Sequence, residues 1–163
     1  MRVTDKHVYF WGEWLSNWFK CHFSVETEGK TLDFYNSEQY FMYIKAKTFG
    51  DEDIAQQIIE KGKNPKTAKA LGRKVKNYND EKWNEIRFDV MVEANMLKFS
   101  QNDDLKKLLL NPEFNGKHFV EASPLDGIWG IKCGEAEALD DESNWKGLNL
   151  LGKALDKVRE NLS

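Results

Sequence analysis

The sequence predicts an α+β domain that is mainly α-helical, with a small N-terminal β-hairpin. Three observations carry this. Alternating, β-rich segments are concentrated before residue 35, and helical apolar spacing dominates after residue 37. No repeat, low-complexity tract or Pro/Gly-rich linker interrupts the 163 residues, which contain three prolines. Residues 1–163 are therefore expected to form one domain, long enough to bury roughly two-thirds of the surface its unfolded chain exposes.

Val8-Tyr9-Phe10-Trp11 is the first strand candidate. Phe23 and Val25 alternate with polar neighbours, Glu28-Gly29-Lys30 turns the chain, and Leu32 and Phe34 resume the alternation, which reads as a hairpin. Asn36 and Gln39 have capping-box spacing and predict a helix from about Ser37 to about Thr48. Gly50-Asp51 restarts a helix with Ile54, Ile58 and Ile59 on one face, and Asn64-Pro65 opens another whose stripe is Ala68, Leu71 and Val75. From Asp80 onward Trp83, Ile86, Val90, Ala94 and Leu97 follow spacings of 3, 4, 4 and 3, the clearest amphipathic helix in the chain. Leu105, Leu108 and Leu109 mark a shorter helix that Pro112 stops. His118-Phe119-Val120-Glu121 is a short strand candidate, Pro124 to Gly134 is rich in turn residues, and the acidic stretch 135–142 reads as a solvated loop. Leu148, Leu151, Leu155, Val158 and Leu162 predict a C-terminal helix.

Composition excludes several classes. A 40% hydrophobic content argues against disorder, and 24 Lys plus Arg against 27 Asp plus Glu, net charge -3, argues against a generic nucleic-acid coat. No apolar run approaches the roughly 18 residues of a membrane span, and the N-terminal residues lack the apolar core of a signal peptide. Two cysteines, Cys21 and Cys133, make no disulfide framework. The expectation is a cytoplasmic, reduced protein with no membrane partner. Six Trp, five Tyr and ten Phe are many for this length, and suit either a tightly packed core or a pocket that stacks on a planar ligand.

Several chemistries lack their motifs. Gly127, Gly130 and Gly134 have neither dinucleotide-binding nor Walker spacing. His7, His22 and His118 are scattered, and Cys21-His22 falls short of the four ligands of a zinc site, so neither metal nor cofactor is expected. Residues 61–76 carry seven basic side chains and no acid. They form either a solvated helix face or a phosphate-binding patch helped by the helix start after Pro65.

Polar residues recur in apolar settings where packing does not require them. Ser16-Asn17 lies between Trp14 and Trp18-Phe19, and Glu38 lies inside the aromatic run Phe34 to Phe41. Asp126 precedes Gly127-Ile128-Trp129-Gly130, Lys98 abuts Phe99, and Asn149 lies between leucines.

These pieces resemble the NADAR family, also called YbiA-like. The matching residues are Leu15-Ser16-Asn17-Trp18-Phe19, then Ser37-Glu38-Gln39-Tyr40-Phe41 with Lys45-Ala46 and Phe49, then Ala68-Lys69 and Leu71-Gly72-Arg73. Trp83, Arg87, Met91 and Lys98-Phe99 follow, then Leu108-Leu109, Glu121-Ala122-Ser123, Asp126, Trp129-Gly130, Gly147-x-Asn149-x-Leu151-Gly152 and Arg159. Each piece is short, but the ordered set is specific and spans about residues 10–160. The resemblance implies a mainly helical domain that cleaves N-glycosidic bonds in ribose-phosphate compounds. Two substrate classes come with it: ADP-ribosyl compounds, including ADP-ribosylated guanine, and phosphoribosylamino-pyrimidine intermediates of riboflavin synthesis. The chain departs from the family at Met42 and Ile44, at Ile131-Lys132 after Gly130, at the acidic insertion near 134–144 and at Asn111-Pro112. These departures fall near the expected pocket rim and bear on substrate more than on bond type.

N-glycoside hydrolysis passes through a ribosyl cation, so the site must stabilise positive charge, present water and release the base. Glu38 is the first candidate. A carboxylate about 4 Å from the cation gains about 4 kcal/mol at an effective dielectric near 20, roughly a thousandfold in rate. Its place in a helix first turn favours the ionised form, although Glu is common there for that reason alone. Asp126 would hold a ribose hydroxyl or assist proton transfer, or else belong to an Asp-Gly turn. Trp129 would stack on the base, or else anchor the core. These three are the expected catalytic residues.

Substrate-binding candidates are Ser16, Asn17, Gly130 and Asn149 around ribose and base, with Asn149 also suited to a buried cap. Lys45, Lys69, Arg73 and Lys98 are candidates for phosphate, Arg as a planar fork and Lys as a point charge. Trp83 serves the pocket or the core, Lys69 can equally be a surface lysine, and Arg159 is expected to tie the last helix down. The reading is a metal-independent N-glycosidase of ADP-ribosyl or phosphoribosyl compounds, favouring ADP-ribosylated guanine in nucleotide or DNA. The rivals are the riboflavin-pathway substrates, a non-catalytic ADP-ribose-binding module and an interaction protein.

Overall fold

The computed structural model describes residues 1–163, an α+β fold in which helices dominate and the sheets are small. In chain order the elements are β1 (Arg2–Val3), β2 (His7–Phe10), β3 (Phe23–Thr27), β4 (Lys30–Phe34), α1 (Ser37–Thr48), α2 (Glu52–Lys61), α3 (Pro65–Gly72), α4 (Asp80–Ser100), α5 (Asp103–Leu109), β5 (His118–Glu121), α6 (Glu135–Asp140) and α7 (Leu150–Leu162). Short 3-10 turns occupy Pro112–Phe114 and Glu142–Asn144. The chain packs as two compact units, one of Met1–Ser16 with Asp104–Ser163, the other of Asn17–Asp103. No helix is long and apolar enough to cross a membrane.

In the second unit, β3 and β4 form the expected hairpin, with Phe23 opposite Phe34 and Thr27 opposite Lys30. Glu28 and Gly29 both take positive φ, 51° and 73°, the pair of left-handed positions that matches the strand twist. Phe34 stacks on Phe23 at 5.6 Å and meets Tyr40 edge-on at 5.0 Å, which lays the hairpin on α1.

Helix α1 has the predicted bounds. Asn36 Oδ1 accepts from the Gln39 N–H at 2.7 Å, while Gln39 Oε1 accepts from the Tyr35 N–H at 2.8 Å, one residue before the usual capping-box target. The same two side chains reach further. Gln39 Nε2 donates to Ile58 O, and Asn36 Nδ2 donates to Gly62 O and Lys63 O. Asp51 caps α2 through the Ile54 N–H and also accepts from the Lys76 N–H. The basic segment 61–76 is thus fastened near both ends by buried side chains, Asn36 and Asp51, that flank α1. Met42 lies where any Cβ on Gly72 would stand, so α3 rests directly on α1. In α4 the stripe buries Trp83, Val90 and Ala94 as expected, together with Met91 and Phe99.

The first unit is built on the sheet β1-β2-β5. Strand β1 runs antiparallel to β2, and β2 runs parallel to β5 with Val8 opposite Phe119. Its core joins Tyr9, Val120, Ala122, Ile131, Cys133 and Ala138. Helix α7 covers β5, and Gly152 permits this because a Cβ there would collide with Phe119 O. Arg159 donates to Phe114 O and Lys117 O, tying α7 down as expected.

Three expectations need correction. The acidic stretch 135–142 is not all loop: most of it forms α6, because Ala138 enters the core and Trp145 Nε1 donates to Ala138 O. Leu148 is exposed, and the last helix begins at Leu150. Trp11 is exposed beyond the end of β2.

Candidate active site

Four of the polar side chains that the second unit buries come from three places in its chain. Asn17 precedes β3, Glu38 lies in the first turn of α1, and Asn95 and Lys98 lie on α4. Asn17 and Glu38 are each 7% exposed, and Asn95 and Lys98 are wholly buried. The Glu38 N–H donates to Asn17 O at 3.1 Å. Asn95 Nδ2 donates to Asn17 Oδ1 at 3.4 Å and to Met91 O at 3.0 Å. Asn95 and Lys98 are three residues apart and so share one helix face. The cluster therefore links the α1 start to the buried face of α4 through Asn17.

Lys98 Nζ lies 5.0 Å from the Phe99 ring centroid and 5.6 Å from that of Phe19. Burial pulls its pKa down to about 8, with Cys21 acting in the opposite direction. Lys45 lies on α1 two turns beyond Glu38, half-buried, its Nζ 4.6 Å from the Tyr78 ring centroid. Burial lowers its pKa, the Glu38 charge raises it and the Arg73 charge lowers it, so Lys45 is within electrostatic reach of both. Arg73 is exposed at the end of α3, with Lys69 half-buried one turn before it. Trp83 is buried against Phe41 and Phe49 at 5.0 and 6.3 Å, which gives it a packing role.

The remaining candidates lie in the first unit. Asp126 Oδ1 accepts from the N–H groups of Ile128 and Trp129, both at 2.9 Å, and the Asp126 N–H donates to Ser123 Oγ at 3.1 Å. Asp126 thereby folds the turn that presents the half-buried Trp129. Gly130 is required by close backbone approach: a Cβ there would lie 2.9 Å from Glu121 O and 3.0 Å from Ser123 Cβ. Asn149 takes a left-handed conformation, φ 52°, and both ends of its amide are used on β5. Its Nδ2 donates to Phe119 O and its Oδ1 accepts from the Glu121 N–H, each at 3.0 Å, so it acts as a strut between α7 and the strand. The first N–H groups of α7 are held as well, Leu150 by Ile128 O and Leu151 by Trp129 O. Ser16 is half-buried, its N–H donating to Glu13 O at 3.1 Å.

Asn95 is the member of the cluster that sequence reasoning missed. Its signal was present: it falls between Met91 and Lys98 on the buried stripe of α4, where an apolar residue is expected.

The NADAR domain family model matches residues 9–163. An N-glycosidase of Acanthamoeba polyphaga mimivirus is 43% identical over 167 residues, covering 96% of each chain. The N-glycosidase YbiA of Shigella boydii serotype 4 is 31% identical over 139 residues, 85% of this chain and 76% of that one. The solution NMR structure of Escherichia coli YbiA superposes with a TM-score of 0.73 at 28% identity, covering 99% of this chain and 87% of the other. The motifs, the fold and these matches agree, and the chain belongs to the NADAR family.

Proposed function

We propose that this protein is an N-glycosidase that removes ADP-ribose from ADP-ribosylated guanine, carried by nucleoside, nucleotide or DNA. The names of its relatives support the bond class. The observation that carries the chemistry is Glu38: a carboxylate buried in the first turn of α1, whose backbone N–H is held by the Asn17 carbonyl, while Asn95 holds the Asn17 side chain. In the reaction the C1–N bond breaks, its electron pair stays with the base nitrogen, and water adds to C1. The base gains one proton and the water loses one. Glu38 is suited to stabilise the ribosyl cation and to accept the proton of the water it orients.

Lys45 supplies a cation within electrostatic reach of Glu38, Arg73 lies within reach of Lys45, and the fastened basic segment extends that positive surface. A pyrophosphate uses such a surface more fully than a single phosphate, which favours the ADP-ribosyl substrate. A buried carboxylate beside an anionic ligand would weaken simple binding, so the arrangement favours turnover over a reader role.

The test is product analysis. The protein is incubated with ADP-ribosylated guanosine and, separately, with the phosphoribosylamino-pyrimidine, and the guanosine or amino-pyrimidine set free is quantified. Release of guanosine and ADP-ribose is expected. Release only from the pyrimidine compound moves the substrate to the riboflavin class, and binding without release of any base overturns the enzyme assignment.

A further inference from the structure

Asn95 uses its amide unevenly. Nδ2 donates twice, to Met91 O and Asn17 Oδ1, whereas Oδ1 accepts no hydrogen bond within the protein. Exchanging the two amide atoms would set a carbonyl against two other oxygens, so the hydrogen bonds fix which end is which. The residue is wholly buried, and an unpaired buried acceptor destabilises the fold. A leucine would fill this place on α4 without that cost.

The surroundings indicate what the acceptor serves. Asn95 holds Asn17, Asn17 O holds the Glu38 N–H, and Lys98 lies one turn along the same helix face. An amide oxygen can only accept, so its partner carries O–H or N–H, not a phosphate oxygen or a carboxylate. Resting on the N-glycosidase reading, we propose that Asn95 Oδ1 accepts a hydrogen bond from an O–H group at the reacting ribosyl carbon, either the neighbouring 2-hydroxyl or the attacking water. Both donors become more acidic as positive charge develops at C1. The hydrogen bond therefore strengthens in the transition state and acts on turnover more than on binding.

The experiment compares the parent with Asn95→Leu, which keeps the branched shape and the number of side-chain heavy atoms and removes the amide. Two substrates are used: ADP-ribosylated guanosine and its analogue lacking the 2-hydroxyl on the reacting ribose. On the first, kcat is expected to fall about 10- to 100-fold with little change in KM, the range for loss of one buried hydrogen bond. Thermal unfolding is expected at the same or a higher temperature. If the donor is the 2-hydroxyl, parent and variant become equal on the analogue. If it is the water, the same loss appears on both substrates with stability retained. Unchanged kcat on the full substrate overturns the proposal. An equal loss on both substrates in a variant of lowered melting temperature also overturns it, since that marks a structural role. A parent that releases no base defeats the N-glycosidase reading itself, which is a different result from a parent and variant that release it equally.

Discussion

The two compact units share one use of polar side chains, since Asn36, Gln39 and Asp51 of the second complete its backbone, and differ in a further use that the second adds. In the first, polar side chains complete the backbone. Asp126 takes two N–H groups of its own turn, and Asn149 and Asp156 take the N–H and C=O groups on the outer edge of β5. In the second, Asn95 and Lys98 are buried whole on a regular helix whose backbone needs no help, and Glu38 is buried in the turn that starts another. The first kind of polar residue builds structure where no ladder or helix can. The second kind makes the fold harder to stabilise, as the lowered pKa of Lys98 and the unpaired oxygen of Asn95 record. The contrast separates scaffold from chemistry within one set of family motifs.

The sharpest way to break this contrast is Glu38→Gln. Removing the charge while keeping the shape should cost roughly 2–4 kcal/mol of transition-state stabilisation, about 30- to 1,000-fold in kcat, as for loss of a preorganised electrostatic contact. Substrate binding, measured by calorimetry, should persist. Unchanged single-turnover rates on ADP-ribosylated guanosine would return Glu38 to an ordinary first-turn residue.

Lys98 comes next. Its folded pKa, about 8, lies below the unfolded value near 10.5, so between those limits the unfolded chain binds the extra proton. The stability of the parent relative to Lys98→Met should therefore be flat below pH 8. It should rise by on the order of 3 kcal/mol between pH 8 and pH 10.5, and be flat above. Urea unfolding of both proteins across that range measures the difference. A parallel pair of curves would mean that Lys98 is not a buried cation.

Much of this contrast was legible in the sequence, for reasons that differ by region. The hairpin, the bounds of α1 and the length of α4 follow from local signals: a Glu-Gly turn, an Asn-x-x-Gln cap and a long apolar stripe. The pairing of β2 with β5 joins His7 to His118, and no local pattern announces so distant a partner. Glu38 and Asn17 stood out because aromatic neighbours surround them. Asn95 did not, because an asparagine in a 21-residue helix that also carries Asn84 looks like surface until burial is known. Asp126 and Asn149 were visible, yet sequence alone could not tell a ligand contact from a strut, since both need the same donor and acceptor atoms.

Asn149→Ala sharpens the scaffold half. Alanine loses the hydrogen bonds to Phe119 O and the Glu121 N–H and is strained at φ 52°, so stability should fall by about 2 kcal/mol. Denaturant unfolding reads the fall, and Asn149→Gly, which removes the strain alone, should recover part of it. Lost turnover at unchanged stability would make Asn149 a ligand residue and blur the contrast.

The smallest effect tests strain in the same loop. Lys132 is exposed and takes φ 53°, a conformation that costs a side-chain-bearing residue about 1 kcal/mol relative to glycine. Its backbone is not free to relax, because its N–H donates to Asp126 O while the flanking Ile131 and Cys133 N–H groups donate to Glu121 O and Ser123 O. Glycine adopts this φ without penalty but also widens the unfolded ensemble, which offsets part of the gain. Lys132→Gly should therefore stabilise the protein by roughly 0.5 kcal/mol, at the edge of what replicate denaturant melts distinguish. The sign decides the matter: a clear loss of stability would mean that the lysine side chain supports the turn before Trp129. The first unit would then, like the second, depend on a side chain where its backbone already suffices.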